Sequence, residues 1–151
     1  EPGACVFPSD DIPKDLTPSP LELVNDHQGP LVVPPEEFNR LTKMPILIIY
    51  GDNIAKEKST NFNSEVWRVA SHRARQMVER INARGGDARL LILPEAGIRG
   101  NTHAPFADLN NLEIAKILED FLHEKGLDGR ENPHQGPQPK GLTEYTIPLA
   151  Q

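Results

Sequence analysis

Pro45-Ile46-Leu47-Ile48-Ile49-Tyr50, closed at once by Gly51-Asp52-Asn53, is the stretch on which the fold turns. A continuous apolar run rich in β-branched residues and ended by turn formers reads as a strand buried on both faces, and such strands belong to parallel sheets. Downstream, Val66, Ala70, Ala74, Met77, Val78 and Ile81 recur at helical spacing. They predict an amphipathic helix over residues 64–84, with Asn63 or Ser64 as cap, Glu65 in its first turn and Gly85-Gly86 as its stop. Trp67 and Met77 are read as core residues of that helix. Ala88-Arg89-Leu90-Leu91-Ile92-Leu93 then reads as a second strand ended by Pro94. Strand, helix and strand in this order make a right-handed parallel crossover unit.

Beyond Pro94 lies a polar, Gly-rich loop over residues 95–106, and then a helix capped by Asn110 or Asn111 and closed by Gly126. Its apolar stripe is expected to be Leu112, Ala115, Leu118 and Leu122, widened by Ile114, Ile117 and Phe121. Nine of the 15 prolines fall in residues 1–45, too densely for a helix longer than about two turns. Residues 1–44 therefore read as an extended arm with apolar anchors at 21–24 and 31–33 and a brief helix over 35–41. Residues 127–151 form a Pro/Gly/Gln-rich tail, leaving 45–126 as the strand-helix-strand-loop-helix body. Two parallel strands and two helices cannot bury one another's apolar faces in a sheet of ordinary width. Either the arm supplies unusual pairing, or further strands come from another polypeptide.

The composition narrows the function. With 16 Lys+Arg against 22 Asp+Glu the 151-residue chain carries a net charge of −6, and no basic cluster offers a surface for nucleic acid or anionic membrane. The longest apolar run, residues 45–50, is far short of the roughly 20 residues of a bilayer span, and no targeting signal is visible. One cysteine, Cys5, excludes an intrachain disulfide and a thiolate metal cluster, leaving a bridge to another chain or a buried thiol. No histidine pair has metal-ligand spacing, so neither a metal nor a cofactor is expected.

In open parallel sheets the reactive groups sit on loops at the carboxyl ends of strands. The loop after the second strand carries His103 among small and polar residues, where an imidazole suits proton transfer near neutral pH. Spacing alone also fits a solvated loop histidine, and solvated positions are expected for His27 in the arm, His72 within a helix, His123 near a helix end and His134 in the tail. Neither strand is followed by a phosphate-cradling glycine turn running straight into a helix, which argues against a nucleotide-binding domain.

Gly97-Ile98-Arg99-Gly100-Asn101-Thr102-His103, followed by Asp108-Leu109-Asn110-Asn111 and a helix, resembles the C-terminal part of an α/β-hydrolase serine esterase. The similar branch is a small group of microbial esterases with a Gly-(Ile/Val)-x-Gly-Asn-(Ser/Thr)-His segment. Residues 45–52 resemble that fold's penultimate strand and its turn, and 84–93 its last strand. The resemblance covers about residues 44–126 together with Glu1 to Cys5. It implies an α/β fold forming the C-terminal portion of a parallel sheet with flanking helices, incomplete without an N-terminal polypeptide. It implies His103 as catalytic base, and a secreted or periplasmic setting. The Glu-Pro-Gly-x-Cys pattern of that branch matches Glu1-Pro2-Gly3-Ala4-Cys5 and implies Glu1 as triad acid. Many relatives use instead an aspartate in a Gly-x-x-Asp turn; here Gly51-Asp52-Asn53-Ile54 puts isoleucine there, leaving Asp52 as the fallback acid.

No Gly-x-Ser-x-Gly elbow occurs in the 151 residues. The expectation is thus a C-terminal chain that supplies His103 and Glu1 to a serine on an N-terminal companion, with a small ester as substrate. The alternative is a non-catalytic α/β interaction or structural module.

Overall fold

Two parallel ribbons organise the chain. In the computed structural model, which describes residues 4–14 and 19–129, β1 (Val6–Pro8) pairs with β2 (Leu31–Val33), and β3 (Pro45–Tyr50) pairs with β4 (Asp87–Ile92). The β3–β4 ladder runs from Pro45 opposite Asp87 to Tyr50 opposite Ile92, the parallel pair expected from the sequence. The second strand ends one residue early, because Leu93 opens a 3₁₀ turn (Leu93–Ala96) around Pro94, which has no amide to give to a ladder. The arm does supply pairing of its own. Its anchors become α1 (Glu22–His27), β2 and α2 (Pro35–Phe38), the last running on as a 3₁₀ turn over Asn39–Lys43.

The long helix α3 (Phe62–Ala83) starts two residues before the expected position. Asn61, rather than Asn63 or Ser64, is the cap, its side chain accepting from the Ser64 amide at 3.0 Å. Gly85, at φ +84°, ends the helix, and the Gly86 amide returns to the Ile81 carbonyl at 2.9 Å. The inner face of α3 lies on β3 and β4: Ala74, Met77 and Ile81 join Ile48, Tyr50 and Ala88, and the arm completes this core with Cys5, Phe7 and Phe38. Each fully buried large side chain contributes about 1.5–3 kcal/mol by leaving water. Cys5 is therefore a free buried thiol, and burial raises its pKa to about 11 despite the opposing attraction of Arg73.

The outer side of α3 is tied to the arm by one charged node. Glu65, fully buried, takes both forks of the Arg68 guanidinium at 2.7 and 2.8 Å, the Ser19 hydroxyl at 2.7 Å and the Ser59 amide at 2.7 Å. The Arg68 hydrogen bonds, helped by Ser19 and Ser59, outweigh desolvation and lower the Glu65 pKa to about 2.

Two expectations about burial change. The face of β3 away from α3 is only half covered: Leu47 and Ile49 border an open cavity of about 530 Å³ with His103, Phe106 and Leu118. In α4 (Asn111–Glu124) the buried pair is Ile114 and Phe121, whereas Leu112 and Leu118 are exposed. At the carboxyl end of the helix Glu124 pairs with Arg89 and Lys125 with Asp87. No helix among the described residues is long and apolar enough to cross a membrane.

Candidate active site

The carboxyl ends of β3 and β4 present two loops that close on one another, and a glycine permits the approach. An ideal Cβ on Gly51 would lie 2.2 Å from the Thr102 carbonyl oxygen and 2.8 Å from that of Asn101. Only hydrogen fits there. The next residue completes the contact in both directions: the Asp52 amide donates to the Asn101 carbonyl at 2.8 Å, and the Gly100 amide donates to Asp52 Oδ2 at 2.6 Å. The segment that leads into His103 is thereby seated on the end of β3.

A second clamp grips the same segment from its other side. Asp108 accepts from the Thr102 amide at 2.7 Å and from its hydroxyl at 3.0 Å, and that hydroxyl accepts from the Ala104 amide at 3.1 Å. Asn101, buried, exchanges amide hydrogen bonds with Asn110 at 2.7 and 3.0 Å. The Thr102 amide, with lesser help from the Thr102 hydroxyl, Asn101 and the nearby His103, holds the Asp108 carboxyl below its ordinary value. An ionised, fully engaged Asp108 is thus a fixture of the loop. Asn110 precedes α4 but makes no capping bond of its own, since its side chain is committed to Asn101.

These clamps fix backbone on both sides of His103 and leave its imidazole exposed at the mouth of a cleft of about 200 Å³, lined also by Asp52, Asn53, Ile54, Trp67 and Thr102. The Trp67 indole stacks on the imidazole, with ring centroids 5.9 Å apart and planes inclined by 24°. Asp52 borders the cleft without reaching the ring: Oδ2 is taken by Gly100, and Oδ1 is buried with no partner among the described residues. Asp52 also lines a polar cavity of about 460 Å³ with Lys56, Ser71, Glu95 and Arg99. Glu1 lies outside the described residues, and so does His134. His27, His72 and His123 stand apart from the cleft; His123 bonds Asp128 at 2.6 Å, which raises its pKa. Among the described residues no three His, Cys, Asp or Glu side chains are grouped as metal ligands.

The structure thus brings His103 and Asp52 to one cleft and adds residues that sequence reasoning missed. Trp67, read as core, packs against the core with part of its surface and against His103 with its ring face. The roles of Asp108 and Asn110 had a usable signal, an aspartate and an asparagine soon after a turn-rich loop, where such side chains bond nearby backbone.

The parallel α/β arrangement resembles an esterase fold. A solved structure of a bacterial esterase matches at 30% sequence identity and a TM-score of 0.51, over 60% of this chain and 26% of that one. The chain therefore spans about a quarter of that esterase's length. No protein-family model matches, and no curated protein matches.

Proposed function

We propose that this chain carries the histidine side of a serine esterase active site, and that the nucleophilic serine resides on an N-terminal companion polypeptide. The observation that carries this reading is the doubly clamped Gly100-Asn101-Thr102-His103 loop, which holds an exposed imidazole at the carboxyl ends of parallel strands. The likeness to a bacterial esterase supports the reaction class. His103 accepts the serine proton as Oγ attacks the ester carbonyl, then returns it to the departing alkoxide as the carbon–oxygen bond breaks. A water repeats the sequence to release the acid. Glu1 accepts from the other ring nitrogen, fixing the tautomer and stabilising the imidazolium; Asp52, the fallback, is already committed to the loop through Oδ2.

The need for a companion is supported by surfaces left open. β3 pairs with β4 along one edge, and among the described residues no strand takes the other. A groove of about 410 Å³ runs there, lined by residues of both β3 faces, Ile46, Leu47, Ile48 and Ile49, against Val6 and Leu31. Unpaired strand edges with apolar surroundings invite a further strand. The companion is expected at roughly 150 to 250 residues, the remainder of a single α/β domain.

The test is to separate the native material under denaturing conditions, weigh its polypeptides and challenge the undenatured complex with a p-nitrophenyl ester and a serine-directed phosphonate. Ester turnover, with phosphonate on a companion serine, is the expected result. A folded single 16.8 kDa species, or a complex without turnover, would favour the non-catalytic module, as would a companion without a Gly-x-Ser-x-Gly elbow.

A further inference from the structure

The clamps on the histidine loop act on backbone amides, on the Thr102 hydroxyl and on the Asn101 side chain. Asp52, Asp108 and Asn110 hold residues 100–102, but none bonds the imidazole, whose two side-chain torsions stay free of hydrogen bonds from the described residues. The group that meets the ring is the Trp67 indole, at 5.9 Å and 24°. Its position is well founded. Trp67 lies between Glu65 and Arg68 on α3, where the buried bidentate pair and the bonds to Ser19 and Ser59 lock the helix to the arm and to the preceding loop. The helix that carries the indole is thus fixed, the indole packs in part against the core, and the imidazole lies against it at the mouth of the cleft they share.

We propose that Trp67 is a positioning residue for His103: its ring face selects one imidazole rotamer and favours the imidazolium that forms when the histidine takes a proton. The physical basis is the negative face of the indole, which attracts a cation within about 6 Å of its centroid. A flat wall also restrains the ring without consuming either nitrogen, so both remain available, one for a carboxylate and one for the reacting hydroxyl. The charged groups facing the pair are Asp52, from the loop after β3, and Asp108, from the turn before α4. Both act on the same imidazolium, so the test must isolate the indole. This inference rests on the esterase reading for its catalytic consequence, but the stack itself can be read without it.

Trp67 is the sole tryptophan of these 151 residues, so the emission lost in Trp67→Phe, taken as the difference from the unmodified complex, reports the stack apart from any companion tryptophan. Protonated imidazole quenches an indole it lies against. Emission of the unmodified protein is therefore expected to fall as the pH is lowered, and His103→Phe to abolish that response. In the catalytic complex, Trp67→Leu is expected to lower kcat roughly three- to thirtyfold with KM unchanged, the range of a cation–π contact from exposed to partly desolvated, and Trp67→Phe to restore part of it. Emission that ignores pH, or that keeps its response in His103→Phe, overturns the proposal whether or not the protein is an esterase. So does a Trp67→Leu variant that raises KM at unchanged kcat, which would make the indole part of the substrate pocket. A quenching response in a complex that turns over no ester leaves the stack standing and refutes the esterase reading instead.

Discussion

Placing one methyl group at Gly51 tests the coupling between the strand end and the histidine loop. The Cβ of Gly51→Ala would stand 2.2 Å from the Thr102 carbonyl oxygen, where ordinary contact begins at 3.4 Å, so the loop or the strand must move by the difference, 3.4 − 2.2, about 1.2 Å. Both neighbours in conflict are backbone atoms, which cannot swing aside as a flexible side chain can. A shift of that size breaks or stretches the Asp52–Asn101 and Gly100–Asp52 hydrogen bonds, now 2.8 and 2.6 Å. Overpacking costs about 1–3 kcal/mol and each of the two lost hydrogen bonds about 0.5–1.5 kcal/mol, so about 2–6 kcal/mol of stability should go. Displacing His103 by about 1 Å should also lower turnover of the complex on the order of 10²-fold. Urea denaturation followed through Trp67 emission measures the first quantity, and its native baseline shows whether the ring against it has moved. Gly29→Ala serves as control, because its Cβ would meet nothing closer than 3.5 Å. A Gly51→Ala protein within about 0.5 kcal/mol of the unmodified one, with an unaltered native emission, would refute the reasoning.

How much was legible depended on whether a signal was local. Residues 45–50 and 88–93 could be read as a parallel pair because apolar continuity and turn residues sit within each segment. The Asn61 cap was missed by two residues because asparagine at 61, asparagine at 63 and serine at 64 are all good caps, and the choice falls to the Ser64 amide's geometry. The β1–β2 pairing in the arm could not be read from three-residue segments, since their partners lie about 25 residues apart, Val6 against Leu31. The rotation of α4 was misjudged for a related reason. Its composition offers apolar residues on most of its circumference, and which of them are buried, here Ile114 and Phe121, depends on packing against elements remote in sequence. At the site, His103 stood out by its loop and by resemblance, whereas Trp67 looked like one more apolar residue on a helix because nothing in helical spacing distinguishes the rim of a core from its centre.

The Glu65 node should fail with acid: its pKa is lowered in the folded state from 4.5 to about 2, so the stability it confers is complete above about 4.5 and is lost as pH falls towards about 2. Glu65→Gln, which leaves the buried Arg68 with only the more distant Glu57 as counter-charge, should cost about 3–5 kcal/mol in urea denaturation and flatten that acid dependence. Asp108→Asn should accelerate hydrogen exchange at the Thr102 amide, measured by NMR or mass spectrometry, while exchange in the β3–β4 ladder stays unchanged. Cys5, buried with its pKa raised to about 11, should resist iodoacetamide at pH 8 in the folded protein and react once urea unfolds it. On the proposed esterase reading, the orienting acid is decided by comparing Glu1→Gln with Asp52→Asn in the proposed complex. A carboxylate that accepts from the imidazole sets the reactive tautomer, and its amide replacement can cost on the order of 10⁴ in kcat with the shape intact. Asp52 gives one oxygen to the Gly100 amide, so Asp52→Asn should weaken the loop and depress kcat far less than Glu1→Gln. The opposite order, with Asp52→Asn inactive and Glu1→Gln near full turnover, would mean that the unpartnered Oδ1 of Asp52 turns to the imidazole in the assembled enzyme and that Glu1 has no part in the chemistry.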